Sequence, residues 1–251
     1  MNEWVWEPDD FAALWYSEGI DRFPRPLHLL SKFRTAEEYE ANRARVRATL
    51  GQDELIRLAL HTLTFGQFRI EIKGGSIATD QGDLREYRVV GAQHYEHAVV
   101  LAQATVDDVD GPIHARLFPA AQLPQRLSAR VPKCGPGSHP ILTLPTADLQ
   151  SPPAPRSYAQ RTPREQFEAL TRRPIDGSGQ ARLFVGHILD RPAPWFSTQW
   201  IDVTADGRYL QIRTPDRITV RPATPADLTT GFTGWIDRTH RRLRQAETAD
   251  W

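Results

Sequence analysis

The sequence predicts an α+β fold in which helices flank a central antiparallel β-sheet made of two pseudo-symmetric halves. Two observations carry this prediction. Apolar residues recur with the helical period of about 3.6 in some segments and alternate with polar residues in others. The order helix, four strands, helix is also predicted twice along the chain. With 40% hydrophobic and 25% charged residues, the composition is that of an ordinary globular protein.

The first part of the chain is predicted to be helical. Helices are expected at residues 9–17, 35–50 and 53–63. The second begins with a capping box, in which Thr35 accepts from the backbone and Glu38 reaches back to the cap amide. Before it, Pro24 and Pro26 favour an extended segment, because two prolines this close are incompatible with a helix interior.

The period of the apolar residues then changes to two, because Phe68, Ile70 and Ile72 alternate with charged residues. This pattern predicts a half-buried strand. Residues 74–83 are polar and rich in glycine, and we expect a loop too long for a tight hairpin. Further strands are expected at residues 85–92, 97–105 and 112–118, followed by a helix from Pro119.

Residues 132–161 contain many prolines and are the weakest stretch for regular structure, so we interpret them as a connection between two halves. The next helix begins with a second capping box, formed by Thr162 and Glu165, with proline at the first helical position. Strands are then expected at residues 180–188, 198–204, 207–213 and 216–221, and a last helix from Thr224.

A short internal repeat supports the two halves. Ile113, Arg116, Pro119, Ala120 and Leu123 have counterparts in Ile218, Arg221, Pro225, Ala226 and Leu228, if one inserted residue is allowed. The sequence therefore predicts a single domain over residues 1–251. Its half-repeats lie at approximately 53–131 and 162–243, and residues 132–161 join them. Two such units would pack as one continuous antiparallel sheet backed by helices.

Composition excludes several classes of protein. The 31 basic and 31 acidic residues give a net charge of zero, whereas a nucleic-acid-binding protein normally carries a basic excess. No apolar run approaches the roughly 18 residues of a membrane span, and the acidic N-terminus does not resemble a signal peptide. We therefore expect a cytoplasmic protein that binds no nucleic acid and inserts into no membrane.

No pattern of catalytic or metal-binding residues stands out. His94 and His97 lack a third ligand, and the aspartates at 107, 108 and 110 lack the spaced glutamate of a calcium loop. Gly177 and Gly179 are a lone glycine pair, and the single cysteine, Cys134, lies in a loop-like segment. The expectation is a protein without catalytic residues, metal or cofactor.

The most distinctive residues lie in the second half of the chain. They are Ala193–Phe196, Trp200, Asp202, Thr204, Asp206–Leu210, Ile218–Val220 and Pro225–Leu228. In this order they resemble the C-terminal half of the EspG family, chaperones associated with actinobacterial type VII (ESX) secretion. Near the N-terminus, Leu14, Trp15 and the proline-bracketed residues 23–27 are similar to the family as well. The chain departs from it at Val203, in its shorter length and in its proline-rich middle.

The resemblance implies both a fold and an activity. The fold is an antiparallel sheet with helices, in two pseudo-symmetric halves. The activity is binding, in the cytosol, to the helical tip of a PE/PPE-like secreted heterodimer, more specifically the tip of its PPE-like subunit. Covering that tip keeps an aggregation-prone apolar surface out of water until export.

Two groups of residues are candidates for contact with the partner. The first belongs to the glycine-rich loop and comprises Gly74, Gly75 and Gln81. The second lies on one face of the last helix and comprises Asp227, Thr230, Gly231 and Gly234, where small side chains permit close approach. An idle loop and packing against the protein's own sheet are the alternatives.

The neighbouring stripe of Leu228, Phe232, Trp235 and Ile236 is predicted to be core. At the level of the whole protein, two other functions stay open. One is a scaffold or adaptor of the same fold with a different protein partner, and the other is an uncharacterised hydrolase or metal enzyme.

Overall fold

The computed structural model describes residues 2–77, 84–106, 109–149 and 161–249. Within them, ten strands form one sheet in which neighbouring strands are antiparallel, in the order β1-β5-β4-β3-β2-β7-β8-β9-β10-β6. The strands are β1 (Asn2–Trp6), β2 (Phe68–Ser76), β3 (Arg85–His94), β4 (His97–Val106), β5 (Val109–Pro119), β6 (Leu142–Pro145), β7 (Ile175–Val185), β8 (Phe196–Val203), β9 (Gly207–Arg213) and β10 (Arg217–Pro222).

The same residues contain six α-helices and two short 3₁₀ helices. The α-helices are α1 (Pro8–Trp15), α2 (Ala36–Leu50), α3 (Glu54–Thr64), α4 (Leu123–Ser128), α5 (Pro163–Thr171) and α6 (Pro225–Ala249); the 3₁₀ helices are Ala120–Gln122 and Thr146–Leu149. Both predicted capping boxes are formed, at Thr35 and at Thr162. The fold class predicted from the sequence is therefore confirmed.

Three local predictions were wrong. Strands β1 and β6 were not predicted, because one is only five residues long and the other lies in the proline-rich connection. Strand β2 continues through Gly74 and Gly75 to Ser76, so these glycines are not part of a loop. They keep a strand conformation because β3 and β7 pair with them from both sides, which offsets their low strand propensity.

The order of the strands is symmetrical about the central β2–β7 pair. Strands β2–β5 lie on one side and β7–β10 on the other, and β1 and β6 form the outer edges. Each set of four follows one helix, α3 or α5, and precedes another, α4 or α6. The limits of the half-repeats, 53–131 and 162–243, stay a prediction.

One face of the sheet is covered by α4 and α6, and we call it the closed face. Its core contains Ile70 and Leu183 of the two central strands together with Leu123 of α4 and Phe232 of α6. The stripe predicted on the last helix is buried in this core, which confirms that prediction. Helices α4 and α6 meet here, and the hydroxyl groups of Ser128 and Thr229 lie 2.6 Å apart.

The opposite face, which we call the open face, is covered only towards its two ends. Helices α1 and α3 pack on β3, β4 and β5 through Phe11, Ile56 and Leu63. Helix α5 packs on β6, β9 and β10 through Leu170. Among the described helices, none lies over the middle of this face, and none is long and apolar enough to cross a membrane. The centre of the sheet is thus accessible from one side.

Candidate functional site

A row of four residues crosses the centre of the sheet on the closed face. Tyr87 of β3, Gly74 of β2, Gly179 of β7 and Trp200 of β8 are direct neighbours in the strand register. A Cβ atom on Gly179 would lie 2.6 Å from the Tyr87 hydroxyl and closer still to the Trp200 ring. Glycine is therefore required here for the two aromatic side chains to meet over the strands. Burial raises the pKa of Tyr87 to about 12.

A buried ion pair between β8 and β9 lies next to this row, two residues further along β8. The guanidinium of Arg208 donates to both carboxylate oxygens of Asp202 at 2.7 Å, and it also donates to the Pro132 carbonyl at 2.9 Å. The central carbon of this guanidinium, Cζ, lies 5.8 Å from the centre of the Trp200 ring. Because Arg208 is only 1% exposed, the pair fixes β8 against β9 without contact with solvent.

On the open face, a groove of about 560 Å³ crosses the middle of the sheet; we call it the central groove. Strands β2, β7, β8 and β9 form its floor, and α5 forms one wall. Among its lining residues are Lys73, Gly75, Leu84, Glu86, Phe167, Leu170, Ser178, Gln180, Gln199, Ile201, Gln211 and Val220. Both halves of the sheet therefore contribute to it.

The floor of the central groove is polar and its walls are partly apolar. Lys73, Gln180, Gln199 and Gln211 lie side by side on four adjacent strands, so their side chains point to the same face. Each glutamine amide carries two donors and one acceptor oxygen. The Lys73 ammonium is half exposed and lies 3.9 Å from a carboxylate oxygen of Glu86. This surface can bind both backbone groups and an opposite charge.

A second groove lies on the closed face, between α6 and strands β8–β10; we call it the α6 groove. Its volume is about 210 Å³, and it is lined by Ser197, Thr198, Leu210, Ile212, Arg221, Asp227, Leu228, Thr230, Gly231, Phe232, Gly234, Trp235 and Arg238. All four candidate residues of the last helix thus lie in one groove. Nothing would touch a Cβ atom on Gly231 within 4 Å, so the groove is open at that point.

The carboxylate of Asp227 is already engaged within the protein. It accepts hydrogen bonds from the backbone and hydroxyl of Thr224, at 2.9 and 2.7 Å, and from Arg221 at 2.8 Å. These hydrogen bonds, chiefly those of Thr224, hold the pKa of Asp227 at about 2. Asp227 therefore caps the start of α6, and its negative charge is balanced by Arg221.

The predicted partner-binding residues divide between the two faces of the sheet. Gly74 and Gly75 both line the central groove, although a Cβ atom on Gly74 would point to the closed face, against Tyr87. The candidates on α6 lie on the closed face, and Gln81 falls outside the described residues. One compact partner cannot contact both faces at once. The glutamine row could not be predicted from local sequence, because its members come from separate strands.

The other residues considered from the sequence take local roles. His94 pairs with His97 across the β3–β4 hairpin, and the His94 ring lies 5.0 Å from that of His61. The Asp110 carboxylate accepts from Arg88 at 2.6 Å; positions 107 and 108 lie outside the described residues. Within the described ranges, no group of three or more His, Cys, Asp or Glu residues is placed to hold a metal ion.

Comparison with known proteins gives the family. The model of the EspG family matches residues 7–232, which is most of the chain. This α+β protein with one continuous antiparallel sheet therefore belongs to the EspG family. No curated protein sequence matches it significantly.

Among solved structures, the chain is similar to EspG5, a chaperone of the Mycobacterium tuberculosis type VII secretion system, in a complex with the PE25–PPE41 dimer. The two chains are 14% identical, with a TM-score of 0.54, and the match covers 92% of this chain and 94% of EspG5. At this level of identity, the likeness shows a shared fold.

Proposed function

We propose that this protein is a cytoplasmic chaperone of type VII secretion that binds a PE/PPE-like helical heterodimer and keeps it soluble before export. The observation that carries the proposal is the match to the EspG family over residues 7–232. The fold shared with EspG5 along nearly the whole chain supports it, since EspG5 was solved with a bound PE–PPE dimer. The proposed role is binding, without a chemical reaction.

The central groove is the proposed receptor for the tip of the PPE-like subunit. It has more than twice the volume of the α6 groove, about 560 against 210 Å³, and its floor is a sheet paired on both sides. A rigid floor reduces the entropy that is lost when a partner binds. The candidates in the α6 groove, Asp227, Thr230, Gly231 and Gly234, lie on the opposite face and form the alternative proposed contact surface.

The chemistry of the groove suits the end of a helical hairpin. Helix ends leave backbone N–H and C=O groups without intrahelical partners, and side-chain amides can satisfy both kinds. Gln180, Gln199 and Gln211 present such amides in one line. Beside them, Leu84 and Phe167 offer apolar contact, and Leu84 is 59% exposed. A mixture of polar and apolar surface is usual in interfaces that are not permanent.

Co-expression tests the proposal directly. The chain is produced together with each PE/PPE-like pair encoded near its own gene, and the tagged pair is purified and analysed by size-exclusion chromatography with light scattering. The expected product is a stable complex of one copy of each protein. If no neighbouring pair copurifies with the chain, the chaperone proposal is wrong. A gene neighbourhood without any ESX component would favour the scaffold alternative.

A further inference from the structure

An arginine cluster lies at the edge of the closed face, away from both grooves. Arg116 of β5 donates to the Glu3 carboxylate of β1 at 2.6 Å. Arg126 of α4 lies over the Phe118 ring at 5.6 Å and donates to a glutamine side chain. Arg130 follows one turn later, next to the end of α4. The charges of Arg116, Glu3 and Arg126 all act on Arg130, so the three guanidinium groups lie close to one another and to this carboxylate.

One guanidinium nitrogen of Arg130 has no hydrogen-bond partner among the described residues. Its Nη2 atom is buried and makes no hydrogen bond there, and the same holds for Nε of Arg116. Burial, followed by repulsion from Arg116, lowers the pKa of Arg130. The Glu3 carboxylate attracts Arg130 but is already bound by Arg116. A buried donor left without a hydrogen bond on a partly buried cation is costly, because its hydration is lost with nothing in return.

Other arginines of the fold each have an acidic partner of their own. Arg69 donates to Glu71 and to three backbone carbonyls, and Arg208 binds Asp202 through two nitrogens. Arg221, the repeat counterpart of Arg116, binds Asp227. Arg208 also keeps one buried nitrogen, Nη1, without a hydrogen-bond partner, but its charge is balanced by Asp202, whereas Arg116 and Arg130 share the carboxylate of Glu3.

We propose that Arg116 and Arg130, with Arg126 at the rim, form a binding site for an oxyanion, either a phosphate or the carboxylate of an acidic peptide. Guanidinium groups match both, since their paired N–H donors bind two oxygens at once. Nε of Arg116 and Nη2 of Arg130 supply the unused donors, and the bound anion balances the excess charge. This inference is independent of the proposed chaperone function.

Calorimetric titration of the full chain tests the site, with inorganic phosphate and a triglutamate peptide as separate probes at constant ionic strength. We expect saturable binding of at least one probe, at least tenfold weaker in Arg130→Gln and unchanged in Arg213→Gln, which alters an exposed arginine elsewhere. Binding of phosphate alone assigns the site to a phosphate group, and tighter binding of the peptide assigns it to an acidic segment. Absence of saturable binding, or equal binding by Arg130→Gln, overturns the proposal.

Two further measurements test the site without relying on the anion affinity of Arg130→Gln. Glu3→Gln removes the carboxylate that competes for the arginines, and we expect it to tighten phosphate binding several-fold. Arg130→Gln is also expected to raise the thermal midpoint in anion-free buffer, because it removes an unbalanced charge. An arginine with a purely structural role predicts a lower midpoint instead, and weaker phosphate binding by Glu3→Gln also contradicts the proposal.

Discussion

The two faces of the sheet have opposite characters, although they share the same strands. Gln199 and Trp200 are neighbours on β8, yet Gln199 is exposed in the central groove while Trp200 is 1% exposed beneath α6. The closed face carries the large core, the Tyr87–Trp200 contact and the buried Asp202–Arg208 pair. The difference indicates that one face holds the molecule together and leaves the other free to evolve contacts with a partner.

The largest effect is expected where the closed face is most tightly packed. Trp200→Ala removes a fully buried ring that rests on Gly179, and the remaining cavity cannot close between paired strands. We expect the free energy of unfolding to fall by about 3–5 kcal/mol. Urea denaturation followed by circular dichroism measures it.

Gln199→Ala is the matched control on the open face, one residue away on the same strand. Its side chain is exposed, so we expect a change within about 0.5 kcal/mol. Equal losses for the two variants would show that the two faces do not differ in the way described.

Loss of the buried ion pair should cost nearly as much. Asp202→Asn leaves the Arg208 cation in the interior without its counter-charge, and we expect a loss of about 3 kcal/mol. The comparison is Asp216→Asn, whose partner Arg217 is exposed to water, and here we expect little change. Similar urea midpoints for both variants would contradict a stabilising role for the pair.

A smaller effect should appear as a dependence on pH. The folded-state pKa of Asp227 is about 2, below its ordinary value of 3.8, so its stabilising contribution is present above pH 4 and disappears as the pH falls towards 2. Allowing for partial exposure, the contribution is about 1 kcal/mol. The stability difference between the wild type and Asp227→Asn should therefore shrink over this range. A difference that stays constant would mean that the carboxylate does not cap α6.

The smallest effect has the opposite sign. Gly231→Ala should raise the free energy of unfolding by about 1 kcal/mol, because alanine favours the helix and its Cβ meets no neighbouring atom. In Gly234→Ala the new Cβ would lie 3.3 Å from the Arg238 guanidinium, so we expect a smaller gain. Thermal melts of both variants measure the gain, and destabilisation by Gly231→Ala would show that the α6 groove is not open at this point.

Much of the architecture follows from local pattern, which explains what the sequence could predict. The capping boxes at Thr35 and Thr162 depend on a few adjacent residues, and both are present. Strand β6 could not be predicted in the same way, because its four residues are stabilised mainly by pairing with β10.

The candidate site was harder to predict than the fold. The spacing of Asp227, Thr230, Gly231 and Gly234 on one helix was enough to place them together in the α6 groove. The central groove combines Gln180, Gln199 and Gln211 from three strands, and their alignment depends on the register of the whole sheet. Asp202 and Arg208 belong to the residues that resemble the family, and their ion pair depends on the hairpin that joins β8 to β9.

The most direct test of the account is the affinity of the PE/PPE-like pair for a chain whose central groove is blocked. Gln199→Trp fills the floor of the groove, whereas Arg213→Trp places the same ring at an exposed position of β9 outside it. On α6, Gly231→Arg introduces a long side chain inside the α6 groove, and Thr233→Arg introduces the same side chain at an exposed position outside it.

With all four variants folded, surface plasmon resonance should show binding at least tenfold weaker for Gln199→Trp and unchanged for Arg213→Trp. Wild-type affinity of Gln199→Trp, or equal weakening by Arg213→Trp, would contradict the central groove as the receptor.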